Sequence, residues 1–144
     1  MKRTPFLLLA LAITTFTVGF SAARAQAPAS ALDGIYADDQ AKRGEKVYAD
    51  NCATCHGDKL EGTSTGGPTL SGKDFVNGWK GMSAGDLFEK ISMDMPSNAP
   101  GSLKADQYAD VMSFVLSVNK YPAGKTALPT TAAPLKSVKM GEPK

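Results

Sequence analysis

Cys52 and Cys55 are the only cysteines in this 144-residue chain, and its only histidine, His56, follows the second one directly. No other feature limits the fold as much. The run Cys52-Ala53-Thr54-Cys55-His56 is C-x-x-C-H, the spacing at which a protein attaches haem covalently. Two thiols three positions apart reach the two vinyl groups of one haem and form thioethers. The next residue then brings an imidazole to the iron. A bare C-x-x-C also serves as a redox-active dithiol or as half of a zinc site. A structural zinc needs about four protein ligands, and no other Cys or His is present to supply them. A thioredoxin-like pair expects a βαβ setting, and no run reads as a convincing strand. In an exported chain the two thiols could also oxidise to a disulfide, but the adjoining imidazole favours haem.

The amino-terminal segment bears on where such chemistry could take place. Met1-Lys2-Arg3 is a basic start, Phe6 to Phe20 is apolar, and Ala23-Arg24-Ala25 offers small residues for cleavage. This pattern predicts a secretory signal over residues 1–25, cut after Ala25 or alternatively after Ala27. The apolar run of about 15 residues is short for a membrane span, so an uncleaved anchor is the weaker reading. Loss of Lys2, Arg3 and Arg24 would take the 16 basic residues to 13 against 14 acidic ones, leaving a near-neutral protein. With no basic run and no arginine interleaved with aromatics, nucleic acid is excluded as an expected partner. The predicted location is the periplasm, where haem is attached to such motifs.

The rest of the chain reads as one domain with flanks. Residues 26–37 are rich in Ala, Pro and Ser and predict a flexible start. A first helix is expected from Asp38 or Asp39, either of which could cap it, to about Asn51, with Ala41, Gly44 and Tyr48 on one face. Gly44 weakens a helix by about 1 kcal/mol relative to Ala, a cost that usually permits a close approach by another element. Residues 57 to 82 are glycine-rich and aperiodic, a long loop that needs something to pack against. Ser83 and Asp86 are spaced as a cap for a short helix through Leu87, Phe88 and Ile91. A last helix is expected from about Leu103 to Asn119, where Tyr108, Val111, Met112, Val115 and Leu116 form an apolar stripe. Residues 122–144 form a Pro-rich tail that either lies along the surface or is disordered.

With His56 the only histidine, a second His ligand to the iron is excluded. The sixth position falls to a methionine, to another donor, or stays open. Beyond the signal the methionines are Met82, Met93, Met95, Met112 and Met140. Met112 belongs to the apolar stripe, Met140 to the tail, and Met82 precedes a helix cap. Met95 is the preferred ligand, because Pro96 stiffens the chain directly after it. Met93 is the runner-up. Methionine ligation raises the potential and closes the iron to small molecules.

Over residues 38–121 the chain resembles the class I, mono-haem c-type cytochromes. Gly44 and Tyr48 match that family's helix-crossing residues, with Tyr108 or Phe114 on the partner helix. Gly66-Gly67-Pro68-Thr69-Leu70-Ser71-Gly72 matches its G-P-x-L-x-G segment, and Met95-Pro96 its sixth-ligand pair. The resemblance implies an all-α, cytochrome c-like fold: a few helices with long Gly/Pro-rich loops wrapped around one covalently attached haem c. It further implies that the Pro68 carbonyl accepts a hydrogen bond from His56, and that Trp79 lies near the haem edge, either donating to a propionate or simply packing. Leu70 and Phe75 become pocket wall. The run from Met95 to Leu103 with Gln107-Tyr108-Ala109-Asp110 is similar to cytochromes that accompany periplasmic dehydrogenases, including quinoprotein alcohol dehydrogenases. Lys104 departs from the Ser or Thr that relatives place at that helix start. The implied function is electron transfer rather than catalysis, from a periplasmic dehydrogenase to an oxidase or another cytochrome, with no stable membrane span after cleavage. The alternatives are a haem enzyme or ligand sensor with an open sixth site, and a subunit whose haem only staples the fold.

Overall fold

The computed structural model describes residues 27–64 and 66–144. The expected export segment, residues 1–25, lies outside the described residues. Among the described residues there are five α-helices, α1 (Asp38–Asn51), α2 (Ala53–His56), α3 (Gly72–Trp79), α4 (Ala84–Asp94) and α5 (Ala105–Val118), with short 3-10 turns at Ala31–Asp33 and Ala133–Leu135. Among the described residues there is no strand, only isolated bridges such as Ser83 with Lys139. No described helix is long and apolar enough to cross a membrane.

The frame is the crossing of α1 and α5, the most extensive helix contact in the molecule. It depends on Gly44, because a Cβ there would overlap the Asp110 carbonyl and press on Phe114 Cβ. Next to this contact the Tyr48 and Phe114 rings meet at 5.3 Å between centroids, so the partner aromatic is Phe114 and not Tyr108. Arg43 adds a two-pronged bond from α1, Nε to Asp110 Oδ2 at 2.9 Å and Nη2 to Oδ1 at 2.8 Å. Gly44→Ala is expected to cost about 1–3 kcal/mol, the usual range for overpacking. A guanidinium unfolding curve of the holoprotein measures it. A midpoint equal to wild type would show that the helices can separate freely.

Two helix starts follow local rules. At α4, Ser83 Oγ accepts from the Asp86 N–H at 3.0 Å and Asp86 Oδ2 from the Ser83 N–H at 2.9 Å, a reciprocal cap. Lys136, from the carboxy-terminal segment, bonds Asp86 at 2.8 Å and Glu89 at 2.6 Å. The Lys136 ammonium and then the Ser83 groups hold the Asp86 carboxyl below the usual range. At α5, the Lys104 N–H donates to Gln107 Oε1 at 3.0 Å, so Gln107 does the work that a Ser or Thr would share.

Elsewhere the structure departs from the sequence expectations. Asp38 and Asp39 do not cap α1: the N-cap is Ala37, without a side-chain bond, and the two carboxylates sit in the first turn, favourable to the helix dipole. The glycine-rich stretch 57 to 82 contains helix α3, whose first N–H, on Gly72, is taken by Asn119 Oδ1 at 2.9 Å. The stretch before α1, expected to be flexible, is packed where it is described, with Ala31, Ile35 and Tyr36 in the core. Of the two readings for the segment after α5, the first applies: it lies on the domain, where it also buries Leu128, Leu135, Val138 and Met140. Gln40 grips it like a paired strand, Nε2 to the Leu128 carbonyl at 3.1 Å and Oε1 from the Leu128 N–H at 2.6 Å.

Candidate haem site

The helices and loops enclose a cavity of about 650 Å³. Its floor is the end of α1 with α2, and its sides are the 68–70 loop, α3, α4, α5 and the loop after Met95. Leu70, Phe75, Leu87, Ile91, Val111 and Val115 give it apolar walls. Cys52, Cys55, His56, Pro68, Trp79 and Met95 all line it.

His56 closes α2 and is buried. Its Nδ1 stands 2.8 Å from the Pro68 carbonyl oxygen. A carbonyl only accepts, so Nδ1 carries the proton, and in the neutral ring Nε2 then keeps its lone pair. The turn behind the ring fixes this pose. Gly67 leaves no room for a side chain, since a Cβ there would overlap the imidazole. The Gly67 N–H bonds the Cys55 carbonyl at 2.8 Å, and the Gly62 N–H bonds the His56 carbonyl at 2.7 Å. Tyr48 also serves this corner, its hydroxyl donating to the Gly57 carbonyl at 2.7 Å.

Both thiols are free, Cys52 half-buried and Cys55 exposed. Burial, and then the neighbouring Cys55, push the Cys52 thiol up to about 11. Reactive dithiols work in the opposite way, through a depressed thiol pKa. Among the described residues no three of His, Cys, Asp and Glu cluster to hold a free metal ion. The Cys52 thiol thus lacks the depressed pKa of a reactive dithiol, and among the described residues no zinc-type cluster surrounds the pair.

The methionines separate by position. Met112 and Met140 are sealed in the core, Met82 is exposed, and Met93 is 69% exposed. Among the described residues Met95 is the only methionine on the cavity wall. It follows α4 in extended conformation. Its carbonyl accepts from the Tyr108 hydroxyl at 2.8 Å, a contact with no signature in residue spacing. The Trp79 ring lies 6.4 Å from that of Phe75, and its indole N–H has no protein partner among the described residues.

A family model described as "Cytochrome C oxidase, cbb3-type, subunit III" matches residues 39–115, more than half of the chain. The chain belongs to this family of cytochrome c domains. Membership implies a covalently bound haem c and a role in electron transfer. This cytochrome c domain is similar to thiosulfate dehydrogenase of Stutzerimonas stutzeri strain A1501, at 41% identity over 68 residues, covering 42% of the chain and 22% of that protein. The chain thus spans about a fifth of the length of that relative. The crystal structure of the sulfane dehydrogenase SoxCD from Paracoccus pantotrophus shares the fold, with a TM-score of 0.51 and 23% identity over 92% of this chain and 68% of that one. The cavity fits the group that the family implies: apolar walls for a flat macrocycle, two thiols at one rim, and a nitrogen and a thioether donor inside.

Proposed function

We propose that this cytochrome c domain is a one-electron carrier, or the electron-transfer subunit of a dehydrogenase complex, and not itself an enzyme. One observation carries the reading: a single apolar cavity gathers both thiols, the only imidazole and one methionine. Cys52 and Cys55 would anchor haem c through thioethers, and His56 and Met95 would hold its iron. Haem c, when bound, supplies an Fe(III)/Fe(II) couple. Pro68 holds the His56 ring and strengthens its Nε2 as a donor. With Met95 also holding the iron, no position would be left for a substrate or gas, which weighs against the enzyme or sensor reading. The apolar walls keep water out, so little has to rearrange when charge changes. Cys55 lines the cavity and is exposed, and the rim around it is the proposed docking face. Trp79 is proposed to stand beside the haem edge with its N–H free for a propionate.

The proposed setting is the periplasm, after removal of residues 1–25, with residues 38–121 forming the cytochrome domain proper. The donor is proposed as a dehydrogenase and the acceptor as an oxidase or another cytochrome. A relative named for thiosulfate supports the dehydrogenase class but not an alcohol-oxidising one in particular.

Carbon monoxide tests the carrier reading. The reduced holoprotein is expected to bind it negligibly on a timescale of seconds while exchanging electrons rapidly with a soluble oxidant. Fast stoichiometric binding would replace the carrier by the open-site alternative.

A further inference from the structure

The loop between α4 and α5 carries Met95 and forms one lip of the cavity. It contains two turns, closed by the Ala99 N–H to the Pro96 carbonyl at 2.8 Å and the Ser102 N–H to the Ala99 carbonyl at 3.2 Å. These bonds set its local shape but do not tie it to the rest of the protein. Tyr108 does that. Its hydroxyl donates to the Met95 carbonyl at 2.8 Å and accepts from the Leu103 N–H at 3.3 Å. One oxygen thus joins Met95, the first residue of the loop, to Leu103 near its end, using its donor and one of its acceptor positions. Tyr108 is itself buried on α5, so the pin is anchored in the frame of the fold.

We infer that Tyr108 is a positioning residue for the sixth ligand: its hydroxyl holds the Met95 loop against the cavity and thereby sets how often Met95 leaves the iron. The inference rests on Met95 being that ligand. A methionine held only by its own metal bond competes with outside ligands on the strength of that bond alone. A methionine whose backbone is also fixed returns before a competitor can enter. Without the hydroxyl, Met95 and Leu103 lose a buried partner each, and the detached state gains population.

The experiment is an imidazole titration of the ferric holoprotein, comparing wild type, Tyr108→Phe and Tyr36→Phe. Tyr36 is the control: it is equally buried and donates to the Tyr121 carbonyl at 2.7 Å, but it does not line the cavity. Tyr108→Phe is expected to bind imidazole about tenfold more tightly, the effect of losing about one buried hydrogen bond. It should also weaken the red-end absorption band of sulfur-ligated ferric haem. Tyr36→Phe should match wild type in both. Equal affinities for Tyr108→Phe and wild type would overturn the inference, as would an equal gain in Tyr36→Phe, which would mean general loosening. If Tyr108→Phe does not accumulate, hydrogen exchange of the reduced wild type decides. The Leu103 amide should be protected at least tenfold over those of exposed Ser97 and Asn98, and free exchange would overturn the pin. Absence of the red-end band in wild type would instead refute Met95 as ligand, a separate outcome.

Discussion

The double variant Cys52→Ala, Cys55→Ala is expected to yield no covalently bound haem and little folded protein in cells that accumulate the wild type. The reason is the size of the cavity relative to what the rest of the chain can hold together. Its volume is about 650 Å³, and its walls come from all five of the helices described and two loops. An enclosed apolar cavity costs about 24 cal/mol per Å³, so one of this size would cost on the order of 15 kcal/mol. Exposed Ser97, Asn98 and Ala99 stand at its lip, so water would fill part of it and lower that cost. Half the figure is still comparable with the whole stability of an ordinary domain, about 5–15 kcal/mol. The α1–α5 crossing survives on paper, but Phe75, Leu87, Ile91, Val111 and Val115 would lose the surface they face. Folding and haem attachment are therefore expected to be coupled in this chain. Absorbance of covalent haem in a denaturing gel and the yield of soluble protein measure the two halves of the prediction. A wild-type yield of apo-protein with a cooperative melt would contradict it.

The parts of this architecture that sequence reveals are those built from neighbours. The C-x-x-C-H run is contiguous and needs no fold to be read. Helix α5 shows itself by five apolar residues at helical spacing, and all five are buried. The Ser83–Asp86 cap is a three-residue signal and forms as expected. What stayed hidden depends on partners far along the chain. Helix α3 is eight residues long, too short to display a period, and the side chain that satisfies its first N–H is Asn119, 47 positions later. The segment after α5 has no pattern of its own because Gln40, 88 positions away, supplies its backbone partner. The site divides in the same way. Two methionines, Met93 and Met95, flank the end of α4; Pro96 favours Met95 in the sequence, and cavity lining and burial separate the two in the structure. The Pro68 carbonyl is a backbone group, which no residue type advertises; the family resemblance pointed to it, and the structure places it 2.8 Å from His56 Nδ1.

Met95→Ala should change the redox properties more than any other substitution that leaves the fold intact. The midpoint potential is expected to fall by on the order of 100 mV or more, within the roughly 0.8 V range over which axial ligands tune haem. The sign follows from the ligand. A thioether is a soft donor that favours the reduced state, so its removal favours the oxidised state and lowers the potential. At about 59 mV per tenfold change for one electron, 100 mV corresponds to roughly a fiftyfold shift in the equilibrium. The red-end band should vanish and the ferric spectrum should turn high-spin. The fold should tolerate the change, because Met95 is only half-buried and its backbone is still held by Tyr108. Met93→Ala is the matched control: at 69% exposure its side chain reaches solvent, so band and potential should stay at wild-type values. An unchanged band and potential in Met95→Ala would remove Met95 from the iron. The same shifts in Met93→Ala would move the assignment two residues back along α4.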